Sequence, residues 1–141
     1  MNRTKKVLFV FVLIAVPFIL GACGVPSAIV PGQTTTAGDF KKGTLVSTFP
    51  PTIPIYKGAT VVESYSKGDT YGASFVVGDD LSKVVNFYNT LPQLGWDSTP
   101  RQVSAANYTY DIKGGTIAGT IIVNTAADGK ATAISIFVAN R

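Results

Sequence analysis

The feature that most constrains the fold is an alternation of apolar and polar residues with a period of two, which recurs from residue 59 onward. Successive side chains of a β-strand point to opposite faces, so this alternation predicts strands with one buried face. Connections of a few residues join these segments, and such short connections favour antiparallel neighbours. The predicted strands span residues 59–66, 70–77, 96–103, 107–112, 116–124 and 131–139. Pro100 breaks the third of them, and Gly114-Gly115 suits a tight turn between the fourth and the fifth.

The period changes once, after residue 78, to that of an α-helix. Apolar side chains then recur on one helical face, and Asp79 or Asp80 is a suitable N-cap for the helix. We therefore expect one amphipathic helix between the second and third strands. Its apolar stripe consists of Leu81, Val84, Val85, Tyr88 and Leu91.

A proline determines where this helix ends. Pro92 has no backbone N–H to donate, and its ring clashes with the carbonyl four residues earlier. The sequence therefore predicts that the helix stops near Leu91, or that it continues with a kink to Leu94 and closes at Gly95.

These elements predict an α+β domain over residues 49–141, in the order β-β-α-β-β-β. We expect an antiparallel sheet of about five or six strands with the helix packed on one face, preceded by a proline-rich, extended lead-in over residues 49–56. The domain's 93 residues exceed the ~70–80 below which a single core needs a disulfide or a metal. Since one helix covers one face, the other face lies in water or meets a partner.

The N-terminus has the pattern of a secretory signal peptide, which we expect over residues 1–22. Cationic residues lie within 2–6, and an apolar run over 7–20 is interrupted by Pro17. A membrane-spanning helix needs about 20 apolar residues, so this run is short for a span.

The run ends in Leu20-Gly21-Ala22-Cys23, which matches the lipobox of bacterial lipoproteins. In that motif an aliphatic residue and two small ones precede the cysteine that receives a thioether-linked diacylglyceryl group. Cys23 is the sole cysteine of the chain, and we expect it to be the lipidated N-terminus of the mature protein. The alternative is an ordinary signal peptide followed by a buried cysteine.

Lipidation predicts a protein anchored to the membrane without spanning it, because two or three acyl chains hold a protein for long periods. The expected location is the cell membrane or an outer membrane, outside the cytoplasm. Residues 24–48 are rich in Gly, Pro, Ser, Thr and Ala, and with Cys23 they are interpreted as a lipidated flexible linker over 23–48.

The composition excludes several classes of function. Seven cations and seven acids balance from residue 49 onward, so the basic surface of a nucleic-acid-binding protein is missing. Histidine is absent, and we find no nucleophile motif or P-loop. Asp79 and Asp80 lack the further acids of a calcium loop, and nothing in the spacing brings Glu63 and Asp111 together as a glycosidase pair. We predict no enzymatic activity, metal or cofactor.

The aromatic residues are the remaining candidates for binding. Tyrosine suits half-wet surfaces, so Tyr65, Tyr71, Tyr108 and Tyr110 are a possible binding face, with core packing as the alternative. Two functions stay open: a non-catalytic module that binds an envelope protein or the cell wall, and a carrier or sensor of a small apolar ligand in a cavity between helix and sheet.

Two short motifs support the envelope assignment. The first is P-x-Y-x-G-A over residues 54–59, and the second is F-Y-x-x-L-x-x-x-G-W over residues 87–96. Both resemble a pattern found in small, uncharacterised lipoproteins that bacteria export. The resemblance implies a β-β-α-β-β-β domain in the cell envelope and supplies no catalytic residue.

Overall fold

The computed structural model describes residues 38–141. The predicted signal peptide, Leu20, Gly21, Ala22 and Cys23 of the lipobox, and the first part of the predicted linker lie outside the described residues. Within the described part, the elements follow in this order: β1 Asp39–Lys42, β2 Thr60–Lys67, β3 Thr70–Val77, α1 Leu81–Asn89, a 3₁₀ turn Leu91–Leu94, β4 Asp97–Ser104, β5 Asn107–Gly114, β6 Ile117–Thr125 and β7 Thr132–Asn140.

The strands form one antiparallel sheet in the order β1-β2-β3-β7-β6-β5-β4. The antiparallel sheet with one helix is confirmed, but it has seven described strands where we predicted five or six. The additional strand is β1, which lies in the segment interpreted as linker. Its four residues are all exposed and show no alternation, so only the pairing with β2 reveals it.

One face of the sheet, here called the covered face, carries the core. Alternate residues of β3, β5, β6 and β7 point toward this face and are buried, as the period of two predicts. The helix packs against it through Val84, Val85 and Tyr88. The hydroxyl of Tyr110 on β5 donates to the Val85 carbonyl at 3.2 Å and also lies 3.1 Å from Oδ1 of Asn89, which fixes the helix over the sheet.

The segment between β1 and β2 covers the rest of this face. Val46 and Phe49 are 2% and 6% exposed, and the ring of Phe49 meets that of Tyr71 edge-on at 6.4 Å. Below them, the buried hydroxyl of Ser64 accepts from the Val46 N–H at 2.8 Å and donates to the Thr44 carbonyl at 2.9 Å. Residues 44–48 are therefore part of the folded domain, although we predicted them as linker.

Pro92 separates the α-helix from a 3₁₀ turn. The helix ends at Asn89, and the chain continues to Leu94 before Gly95 closes the turn with a φ of 82°. This left-handed conformation favours glycine and reverses the chain toward β4. Trp96 then packs inward over Gly114, where an added Cβ would lie 2.7 Å from the indole ring.

Two further boundaries differ from the sequence prediction. β4 runs continuously through Pro100, because it is the edge strand of the sheet and an edge position tolerates a residue without an N–H. The turn between β5 and β6 is formed by Gly115 and Thr116 rather than by Gly114 and Gly115, since Gly114 pairs with Ile117.

The two short motifs, over residues 54–59 and 87–96, contact each other. The rings of Tyr56 and Phe87 pack edge-on at 5.4 Å, and the hydroxyl of Tyr88 lies 3.5 Å from the Pro54 carbonyl. These contacts hold the chain before β2 against the helix, so the motif residues have a structural role.

Candidate functional site

The face opposite the helix, here called the open face, has no described layer over it. Three pairs of opposite charge on this face stand on neighbouring strands: Lys42 with Glu63, Asp97 with Lys113, and Arg101 with Asp111. Lys67 at the end of β2 adds one positive charge. Because the pairs cancel, the open face is close to neutral.

Three aromatic side chains lie in one row across the open face, and we call them the aromatic strip: Phe40, Tyr65 and Phe137. The sheet register aligns them, because Phe40 pairs with Tyr65, Tyr65 with Gly72, and Gly72 with Phe137. Their exposed fractions are 55%, 37% and 42%, which are large for aromatic side chains. Aligned exposed rings of this kind are typical of a binding surface.

Gly72 allows the strip to be continuous. The ring of Tyr65 extends from β2 over the backbone of Gly72 on β3, and a Cβ at residue 72 would overlap that ring. The ring therefore crosses the one position in the row that has no side chain. This arrangement brings Tyr65 toward the strand that carries Phe137.

The same row continues beyond Phe137 as polar residues. Phe137 pairs with Thr120, Thr120 with Asp111, and Asp111 with Thr99. The hydroxyl of Thr120 donates to Asp111 at 3.1 Å, and the Arg101 guanidinium donates to the other oxygen of that carboxylate at 3.4 Å. One row thus has an aromatic half on β1, β2 and β7 and a polar half on β6, β5 and β4.

A shallow depression of about 340 Å³ lies at the polar half of the row. Its lining combines carboxylates, a hydroxyl and an ammonium group with the apolar surface of Ile112 and Ala118. Such groups supply both hydrogen-bond donors and acceptors to a ligand that lies in the depression. The lining includes Asp97, Thr99, Asp111 and Lys113.

The four tyrosines predicted as a binding face do not lie together. Tyr65 is on the open face, but Tyr71 and Tyr110 are 9% and 1% exposed on the covered face, so their inclusion was wrong. Their strands place them toward the helix layer, where their rings fill the core. Tyr108 is half-buried against the same core and lines a cleft beside the start of the helix.

Sequence reasoning missed Phe40 and Phe137. The signal for Phe137 was present, because alternation in β7 places it opposite to Ile134, Ile136 and Val138. Phe40 had no such signal, since it lies in a strand of four exposed residues.

Two other clefts lie at the two ends of the helix and open to solvent. One of about 450 Å³ is bounded by Leu94, Trp96 and the β5–β6 turn, and one of about 470 Å³ by the start of the helix and Tyr108. Between helix and sheet, the rings of Tyr88 and Tyr110 pack 5.7 Å apart, and both residues are at most 1% exposed. These clefts therefore flank the helix–sheet core.

The helix start carries a small polar cluster. Asp79 accepts hydrogen bonds from the Tyr56 hydroxyl at 3.0 Å and from the Lys83 ammonium at 3.1 Å. The hydrogen bond from Lys83, followed by that from Tyr56, lowers the pKa of Asp79. The N-cap is Asp80, as one of our two alternatives had it, but its side chain makes no capping hydrogen bond. The cluster ties the segment before β2 to the helix.

The geometry offers no paired carboxylates of the glycosidase kind at Glu63 and Asp111. Their strands are four strand spacings apart in the sheet, about 19 Å, whereas such enzymes need carboxyl groups about 5–9.5 Å apart. Within residues 38–141, no group of three metal-ligating side chains comes together. Over the same residues, no helix combines the length and apolar character needed to cross a bilayer.

Comparison with known proteins gives no match to a family model, to a curated protein or to a solved structure.

Proposed function

We propose that this chain is a lipid-anchored protein of the bacterial cell envelope, and that its folded domain is a non-catalytic interaction module. The observation that carries the second part is the aromatic strip. In the free protein, the three aligned rings leave apolar surface in contact with water, which is unfavourable. A partner that covers the strip recovers this free energy, at roughly 25 cal/mol per Å² of apolar area removed from water.

The face of the sheet serves this role better than its edges. β1 is four residues long and includes Lys41 and Lys42, while β4 contains Pro100 and Arg101. Short strands, lysines and prolines at edges oppose the addition of a further strand. We therefore assign binding to the open face. The side chains of this face determine whether the partner is a protein or the cell wall.

The lipobox carries the anchoring part of the proposal. Between Cys23 and Gly38 the chain has 14 residues, and a flexible linker of that length, as the composition predicts, would have a root-mean-square span of about 20 Å. Acylated Cys23 would hold the domain within this order of distance from the bilayer. The open face would then be available to components of the envelope near the membrane.

The anchor is tested by comparing the wild-type chain with Cys23→Ser in a bacterial host. We expect the wild-type chain in the membrane fraction with a mass increase at Cys23, and the serine variant in the soluble fraction, since serine has no thiol to alkylate. Equal membrane association of both chains would refute the anchor.

The interaction surface is tested with a photoreactive phenylalanine analogue placed at position 137, on the strip, or at position 93, where Gln93 is exposed on the helix layer. After irradiation in intact cells, position 137 should yield a covalent adduct with an envelope component, and position 93 should not. Adducts from neither position, or from position 93 alone, would argue against the open face.

A further inference from the structure

Two properties of the row across the open face, its length and its division into an aromatic and a polar half, match one class of ligand. It crosses seven strands from Phe40 to Thr99, which at about 4.8 Å per strand spacing is about 29 Å. It is aromatic along one half and polar along the other. We propose that this row binds a linear glycan of uncharged sugars. The inference rests on the proposed function because it names the partner of the same face.

The aromatic half suits a sugar ring. A pyranose presents C–H bonds on its ring face, and these pack against the face of an aromatic side chain, while its hydroxyl groups point outward to water. Phe40, Tyr65 and Phe137 supply exposed rings in one line. A polymer laid across the strands would meet them in succession.

The polar half suits the hydroxyl groups. The Asp111 carboxylate already accepts from Thr120 and Arg101, and a carboxylate has lone pairs for additional donors. These two contacts favour one orientation of the carboxylate before a ligand arrives. The depression beside it, lined also by Thr99 and Lys113, gives space for a sugar at the end of the aromatic strip.

The charges favour this ligand over two others. An anionic polymer needs a basic surface, and the paired charges on the open face leave it close to neutral. A lipid surface needs an apolar face throughout, whereas docking here would bury Asp111 and Arg101 at the cost of desolvating them. An uncharged polymer rich in hydroxyl groups matches both halves of the row.

The test uses the full-length acylated protein in phospholipid nanodiscs, titrated calorimetrically with chitin oligosaccharides and sedimented with insoluble chitin. We expect saturable binding that Phe137→Thr weakens about tenfold, as truncation of a central aromatic contact does. Threonine is β-branched and has a high strand propensity, so it suits the strand while it removes the ring. Leu94→Thr is the matched control, because Leu94 is 55% exposed on the helix layer, and this variant should bind like wild type.

Asp111→Asn tests the polar half and should also weaken binding, while near-ultraviolet circular dichroism checks that each variant is folded. Absence of saturable binding, or equal loss in the Leu94 and Phe137 variants, would overturn the proposal. So would attachment of the Cys23→Ser chain to phosphatidylcholine vesicles in a manner that Phe137→Thr abolishes. A protein adduct at position 137 without glycan binding would refute the glycan and leave the proposed function standing.

Discussion

Each face of the sheet has an aromatic ring that lies over a glycine, and the two contacts differ in what surrounds them. On the covered face, Trp96 lies over Gly114 and is 8% exposed beneath the helix layer. On the open face, Tyr65 lies over Gly72 and is 37% exposed. The same local contact therefore immobilises one ring in the core and presents the other to solvent.

The largest difference between the faces should appear at two neighbouring isoleucines. Ile121 is fully buried on the covered face, and Ile122 is half-buried on the open face. We expect Ile121→Ala to lower the free energy of unfolding by about 2–5 kcal/mol, because it leaves a cavity in the core. Ile122→Ala should lower it by about 1 kcal/mol or less. Urea unfolding measures both, and equal losses would contradict the assignment of the faces.

Alanine substitutions at Gly114 and Gly72 compare how firmly the ring over each glycine is held. Gly114→Ala places a Cβ 2.7 Å from the Trp96 ring, which is 8% exposed and packed in the core, so we expect a loss of about 1–3 kcal/mol. Gly72→Ala meets the ring of Tyr65, which is able to swing into solvent, so its loss should be smaller. Thermal unfolding of both variants compares them. A larger loss for Gly72→Ala would mean that Tyr65 is held as firmly as Trp96.

A third comparison uses two tyrosine hydroxyls. Tyr110→Phe removes a buried hydrogen bond to the helix and should cost about 1 kcal/mol at neutral pH, whereas Tyr65→Phe on the open face should cost little. Burial raises the pKa of Tyr110 from 10 to about 12. The unfolded chain therefore ionises first, and wild-type stability should fall as the pH rises from 10 toward 12.

Tyr110→Phe should reduce this alkaline loss, and denaturant unfolding at several pH values measures it. An alkaline profile identical to that of wild type would show that the Tyr110 hydroxyl does not contribute. The buried hydroxyl of Tyr88, whose pKa burial raises further, is expected to leave part of the loss in place.

The smallest effect is expected in the loop between β6 and β7, which belongs to neither face. Asp128 accepts hydrogen bonds from the backbone N–H groups of Lys130 and Ala131, and these bonds lower its pKa below 3.8. Its contribution to stability is present above pH 3.8 and is lost as the pH falls through the lowered value. Asp128→Asn keeps an acceptor oxygen, so it should flatten acid unfolding slightly below pH 4. A steeper acid transition would contradict this account.

Most of the fold followed from local pattern. The alternation in β3 and β7 and the helical stripe from Leu81 to Leu91 each encode one buried face, and the structure confirms both. β1 did not follow from pattern. Asp39–Lys42 is exposed throughout and polar apart from Phe40, and it becomes a strand only because β2 offers a free edge for its backbone hydrogen bonds.

The candidate site was harder to predict than the fold. The residue type of a strand tyrosine does not indicate whether its face of the sheet is covered or open. Residue type alone therefore did not separate Tyr71 and Tyr110 from Tyr65. The layer over the covered face decided between them, because Phe49 packs on Tyr71 and the helix packs over Tyr110.

By itself, the sequence determined the alternating strands of an antiparallel sheet and the single helix that follows the second of them, since each depends on residues close together in the chain. It also contains the lipobox on which the proposed anchor rests. Only the tertiary structure decided which face is covered and which side chains share a row, because the register that aligns Phe40, Tyr65 and Phe137 joins strands far apart in sequence.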